Sequence, residues 1–259
     1  MEDVLTEVPP PSRFFQEDLN NFTPPSPPIP SPFLVFPTAA DLDLPLRPSL
    51  LIIAISSPSL HLFHTAASKI LIGTLILPET SFAGNSVQPS LKDKSCNLYS
   101  LDGDRQTLLV SVQCPIAADR CHAVAELLVS QHIVPERVLI LDSVQNRNFR
   151  GKLSRDEALA FKLETTSERK SKSKSLKLEY LPSASVVDGL GAALLAKCEI
   201  NKIKAVLCVT WPEFGAAALE LIKFRVLPAL DLGLSFKSDA DDYGSLGQDK
   251  DPFDSDLYS

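Results

Sequence analysis

Leu50-Leu51-Ile52-Ile53-Ala54-Ile55 is an unbroken apolar run. A strand with one wet face alternates apolar and polar residues. A run that does not alternate is covered on both faces, as in a parallel sheet layered by helices. Residues 138–141 and 205–209 have the same character. Between the first two runs, residues 97–101 and 107–113 flank Asp102-Gly103, a strong turn dipeptide, and predict a β-hairpin. The expected fold class is therefore α/β: a three-layer α/β/α core with a largely parallel central sheet plus a β-hairpin.

Three helices fit between and after these strands. Residues 118–131 place Cys121, Val124, Ala125 and Leu128 on one face at three- and four-residue spacing. Residues 186–199 open with Ser185-x-x-Asp188, a capping-box variant, and are apolar almost all round, which predicts a well-buried helix. Residues 213–227 follow Thr210-Trp211-Pro212-Glu213, where Thr210 can cap and Pro212 suits a first turn.

Outside this core the composition changes. Twelve of the 21 prolines lie in the first 48 residues, a density that forbids regular helix and favours extended chain. Basic residues beside these prolines are nearly absent, which argues against an SH3-type ligand. Phe14-Phe15 and Phe33-Leu34-Val35-Phe36 can dock on a partner or on the core. Residues 167–177, Ser-Glu-Arg-Lys-Ser-Lys-Ser-Lys-Ser-Leu-Lys, are basic and serine-rich and read as a solvated disordered loop. A nuclear-import patch or a contact with an acidic partner are the alternatives. Between Ser238 and Asp256 seven aspartates face one lysine. The expected organisation is a proline-rich, mostly disordered arm at 1–48 and a core at 49–232 that includes the basic loop at about 165–177. An acidic flexible tail follows at 233–259.

Charge and cysteines bound the function. The net charge of −7 argues against nucleic-acid binding, which needs a basic footprint. No run is long enough for a membrane span, and the N-terminus lacks the features of a signal peptide. Five cysteines at 96, 114, 121, 198 and 208, without a C-x-x-C pair, fit buried thiols in a reducing compartment. A cytosolic or nuclear protein is expected.

Catalytic motifs are missing. Gly189-Leu190-Gly191 lacks the third glycine of a dinucleotide fingerprint, so the two glycines are expected to allow close helix packing. There is no nucleophile elbow, zinc-protease motif or Walker lysine. His61 and His64 follow the first strand and are read as a partly exposed helix start. A zinc site there would need Cys96 or Cys114 as a further ligand. Adjacent Cys121 and His122 diverge on a helix, which disfavours a thiolate–imidazole pair. Trp211 ends the third apolar strand, at the edge where α/β folds place ligands, and keeps a small-molecule enzyme open as an alternative. The expectation is a protein without catalytic residues, cofactor or metal.

The chain closes on Leu257-Tyr258-Ser259. An apolar residue, a tyrosine and a terminal carboxylate at the end of a flexible tail can act as a key. The carboxylate is captured by a lysine or a backbone nest, the apolar side chain fills a pocket, and the ring adds area. These three residues are the candidate protein-binding site.

Arm, core and tail together resemble the proteasome assembly chaperone 1 family, in a plant-like form. The resemblance rests on residues 50–55 with the following helix, the hairpin around Asp102-Gly103 leading into residues 108–114, and residues 138–141. It extends through residues 182–209, where Val187-Asp188-Gly189-Leu190-Gly191-Ala192-Ala193-Leu194-Leu195 precedes Cys198. The last three residues match the family's hydrophobic-tyrosine-X ending. The resemblance implies a phosphorylase-like α/β/α core without catalytic residues, and a heterodimer with proteasome assembly chaperone 2. It also implies docking of the tail between 20S proteasome α-type subunits. In that picture Ser259 offers its carboxylate to a pocket lysine, Tyr258 packs at the pocket mouth and Leu257 fills the apolar part. The proline-rich arm and the basic serine loop have no counterpart in this resemblance. A scaffold acting through the proline arm is a further alternative.

Overall fold

The computed structural model describes residues 29–37, 45–66, 68–86, 90–101, 103, 105–154, 157–171 and 176–230. In chain order the strands are β1 (Phe33–Val35), β2 (Leu50–Ala54), β3 (Lys69–Ile76), β4 (Cys96–Leu101), β5 (Thr107–Val112), β6 (Arg137–Ser143), β7 (Leu159–Glu164), β8 (Glu179–Tyr180) and β9 (Lys204–Trp211). The helices are α1 (Ser57–His64), α2 (Cys121–Glu126, continued by a π turn at Leu127–Gln131), α3 (Thr166–Lys170), α4 (Gly189–Ile200) and α5 (Ala216–Leu221). Helix α5 is continued by Ile222–Val226 and Leu227–Leu230.

Among the described residues one sheet takes the order β1-β3-β4-β5-β2-β6-β9-β7-β8. Its centre, β5-β2-β6-β9, is parallel, with β2 in register between β5 and β6. The expected hairpin is the antiparallel pair β4–β5. Gly103 in its turn has φ +75°, a conformation that L side chains rarely adopt.

The continuous apolar runs divide between two faces as their buried character requires. In β2, Leu51 and Ile53 point into one core, and Leu50, Ile52 and Ala54 into the other. In β9, Leu207 and Val209 face the first core while Val206 and Cys208 face the second. Helices α2 and α4 cover the first face, through Cys121, Val124, Ala125, Leu128, Leu194 and Cys198. Leu62 and Phe63 of α1, with Leu219, Ile222 and Val226 of α5 and its continuation, cover the second. Two helical layers around a sheet give the α/β/α architecture.

Several local expectations are corrected. Ser185 does not cap α4: its hydroxyl accepts from the Arg150 amide, and the helix starts three residues later with Asp188 as N-cap. Helix α4 buries only one face, and Ile200 is 74% exposed. The last helix begins at Ala216, because the ladder holds Thr210 and Trp211 extended, paired with Ser143 of β6 and Leu159 of β7. Helix α2 begins at Cys121, after a turn closed by Arg120 N–H to the Ala117 carbonyl. Its predicted apolar face is buried as expected. Residues 166–170 of the basic segment form α3, capped by the Thr165 hydroxyl, which accepts from the Glu168 amide. Phe33–Val35 joins the sheet through β3. Among the described residues no helix is long and apolar enough to cross a membrane.

Candidate functional site

Strand β2 is the switch point of the sheet. Chain segments leaving its carboxyl end and those of β5 and β6 diverge, and this divergence opens a crevice. A cleft of about 1480 Å³ lies there. Its walls come from α1 (Leu60, His61, His64), the segment after β5 (Cys114, Ile116), the end of β6 (Asp142) and the entry to α4 (Val187, Asp188). Glu213 and Phe214, beyond β9, complete it.

The mouth is apolar, with Val186 and Phe214 both more than half exposed, while one side of the cleft is acidic. Asp142 accepts from the Ser143 amide through Oδ1 at 2.8 Å. Its Oδ2 tucks against the first turn of α4, where a Cβ on Gly191 would stand 2.5 Å away. Gly191 therefore permits a close approach, as expected of the glycine pair, but by a carboxylate rather than by a packing helix. Gly189 serves differently: its φ of +64° starts the helix. Burial, with Asp188 and Glu213 nearby, pushes the Asp142 carboxyl up to about 6, against the Ser143 hydrogen bond. Asp188 accepts from Asn148 Nδ2 at 2.9 Å.

The structure separates the other residues singled out in the sequence. His61 is buried in the last turn of α1, with His64 one turn along. This corrects the partly exposed helix start for His61, which faces the core from the last turn, while His64 is half-buried. Among the described residues no group of three or more His, Cys, Asp or Glu side chains can hold a metal. All five cysteines are buried free thiols. Burial raises each of them, Cys198 and Cys208 to about 12, so they are protonated near neutral pH. Cys121 is buried whereas His122 is exposed, so the two diverge as expected. Trp211 donates from Nε1 to the Ser154 carbonyl at 2.8 Å and packs against the first core. Leu257, Tyr258 and Ser259 lie outside the described residues.

Asp142 escaped the sequence reading. An acid directly following the buried run Val138-Leu139-Ile140-Leu141 must stand at the carboxyl edge of a parallel strand, and that was the available signal. Chemically the cleft offers apolar walls and a carboxyl that burial raises to about 6, so that it is an ionised, poorly solvated acceptor at neutral pH.

No family model matches the chain, and no curated protein matches it in sequence. Solved structures do resemble it in fold. PbaA of Pyrococcus furiosus, an archaeal homologue of proteasome-assembly chaperone, superposes with a TM-score of 0.55 at 14% identity, covering 82% of this chain and 85% of its own. PbaB of the same organism, an archaeal proteasome activator, gives 0.52 at 15% identity, covering 80% and 91%. A protein of unknown function from Thermoplasma acidophilum gives 0.52 at 17% identity, covering 74% and 79%. At these identities the likeness is one of fold.

Proposed function

We propose that this chain is a non-catalytic chaperone that promotes assembly of the 20S proteasome α-ring, as a heterodimer with proteasome assembly chaperone 2. One observation carries the reading. A fold shared over 82% of the chain with a homologue of proteasome-assembly chaperone coincides with a sequence resemblance to the same kind of protein. In this reading the protein works in the cytosol or nucleus. Leu257-Tyr258-Ser259 docks in a pocket between α-type subunits, tethered by the acidic tail, so that effective concentration strengthens a weak three-residue key.

The surface suits a partner subunit. Phe33 and Val35 on β1, with Ile70 and Leu71 on neighbouring β3, are each at least 43% exposed. Such apolar side chains at a sheet edge favour association. The purified chain alone is expected to self-associate and to become monodisperse when co-expressed with assembly chaperone 2. Light scattering that finds a stable monomer indifferent to that partner removes the heterodimer.

The tail is tested directly. Tyr258→Ala, or a tag fused after Ser259, is expected to speed dissociation from α-ring intermediates about tenfold or more while heterodimer formation persists. The same tag near Thr6 serves as control. Dissociation as slow as wild type in both variants ends the key-and-pocket reading.

The acidic cleft favours one second reading, a small-molecule enzyme of phosphorylase-like fold. Saturable nucleoside turnover, lost on replacing Asp142, would establish it.

A further inference from the structure

We propose that the cleft at the carboxyl edge of the sheet binds an organic cation, a primary ammonium group carried on an apolar body, with Asp142 as its anchor. The assignment goes beyond the chaperone reading and does not rest on it. At about 1480 Å³ the cleft has room for a whole small molecule. Three carboxylates line it from three separate elements: Asp142 at the end of β6, Asp188 at the entry to α4 and Glu213 beyond β9.

Asp142 is the group that calls for an occupant. Its Oδ1 accepts from the Ser143 amide, whereas its Oδ2 accepts no hydrogen bond from a described residue. Among the described residues neither Asp142 nor Asp188 is in an ion pair. The basic groups on the walls are His61 and His64 of α1 and Lys92 ahead of β4, and the thiol of Cys114 lies beyond β5. No basic group offsets the Asp142 charge. The charges that reach it are the like charges of Asp188 and Glu213, and burial adds to their effect. His64 acts instead on Asp93. A poorly hydrated carboxylate with an open acceptor oxygen is unfavourable in the free protein, and a cation seated on it removes the penalty.

The walls and the carboxylate geometry narrow the class of cation. Leu60, Ile116 and Val187 along the cleft, with Val186 and Phe214 at its mouth, offer contact to hydrocarbon. Among the described residues the acids do not gather into a group able to hold a metal ion, so the charge is to be met by an organic cation. With Oδ1 committed to the Ser143 amide, one oxygen is left for the ligand. That suits an ammonium, a compact point charge, better than a guanidinium, whose fork pairs with both oxygens of a carboxylate. Gly191 keeps this oxygen reachable, because a Cβ there would stand 2.5 Å from it. Asp188 and Glu213 deepen the negative potential through which a cation approaches.

The test uses the full chain alone, with no proteasome subunit present, so this inference and the chaperone reading fail separately. The probes are phenylbutylamine and its neutral counterpart phenylbutanol, titrated by calorimetry. At about pH 7.5 the amine is expected to bind about tenfold or more tighter than the alcohol. Asp142→Asn keeps an acceptor for the Ser143 amide and should weaken amine binding about tenfold, to the level of the alcohol. A second arm needs no variant. Lowering the pH to about 5 protonates Asp142, whose carboxyl stands at about 6, while the amine stays charged. Amine binding to the wild-type chain should then weaken about tenfold, and alcohol binding should hold steady. Equal affinities for amine and alcohol, saturable binding of neither, or amine binding at full strength in Asp142→Asn overturns the site. So does a pH dependence shared by the wild type and the asparagine variant. Phenylbutylguanidine binding tighter than the amine overturns the choice of an ammonium.

Discussion

Arg137→Met is expected to destabilise the core by about 3–5 kcal/mol. The Arg137 guanidinium reaches Glu168 Oε1 at 2.5 Å, and the glutamate side chain is only 1% exposed. Its other oxygen, Oε2, is buried without a hydrogen-bond partner among the described residues. Removing the arginine strands a buried carboxylate, and the penalty is the desolvation of that charge rather than the loss of one contact. For a domain of about 200 residues each kcal/mol moves the melting temperature by about 2–4 °C, so a fall of roughly 6–20 °C is expected in a thermal melt. The double variant Arg137→Met, Glu168→Met removes both charges and should recover most of the loss. A single variant melting within about 2 °C of wild type means that water screens the pair. The pair also has a positional consequence: it pins α3 to β6 and thereby presents Arg169 and Lys170 outward.

That pair was hidden in the sequence for a physical reason. Glu168 sits in a stretch whose lysines and serines read as solvated loop, and nothing local shows that Arg137, 31 residues earlier, will stand beneath it. The same blindness covers β7. Leu159, Phe161 and Leu163 alternate with Ala160, Lys162 and Glu164, as in a strand with one wet face, yet the fold buries the Lys162 and Glu164 side chains and pairs them at 2.6 Å, with Lys162 also donating to the Leu176 carbonyl. The alternation marks the strand, but nothing local shows that its polar face will be covered by the segment at Leu176. By contrast β2, β6 and β9 were legible because burial on both faces demands unbroken apolar runs, whatever their neighbours. The hairpin was legible because Gly103 supplies the φ that its turn needs. The helix after β9 was placed early because Thr210-Trp211-Pro212-Glu213 resembles a capping sequence. Pairing with β6 and β7 outweighs that local preference. The cleft was half legible: Trp211 and His61 marked the right edge of the sheet, but Asp142, its most perturbed acid, lay one residue past the apolar run at 138–141 and drew no reading.

Asp142→Asn is expected to stabilise the fold at pH 7 by as much as about 3 kcal/mol. The carboxyl stands at about 6 in the folded chain against an ordinary 3.8, and about 1.4 kcal/mol per pH unit sets that ceiling. The residue keeps some exposure, so about 1–3 kcal/mol is the working range. The sign follows from proton binding. Between pH 3.8 and about 6 the folded chain holds a proton that the unfolded chain has released, so this group makes stability fall as pH rises through that window. Above about 6 the full penalty is present, and below about 4 it is gone. Asparagine keeps the acceptor for the Ser143 amide but carries no charge. The variant should therefore match wild type near pH 4 and exceed it at pH 7, as read from denaturant melts across that range. Equal pH slopes in the two proteins, or a less stable variant at pH 7, would remove Asp142 as a strained group. A carboxylate that weakens its own fold, held against the first turn of α4 by the space that Gly191 leaves, is not explained by packing. Side chains kept at such a cost collect at binding surfaces, where the unfavourable charge is relieved only when something docks. The cleft at the carboxyl edge is therefore a surface where a docked group would relieve that charge, whichever reading of the function holds. The observable is whether the Asp142 carboxyl carbon, followed by nuclear magnetic resonance, titrates nearer its ordinary value on adding the proposed partner subunit.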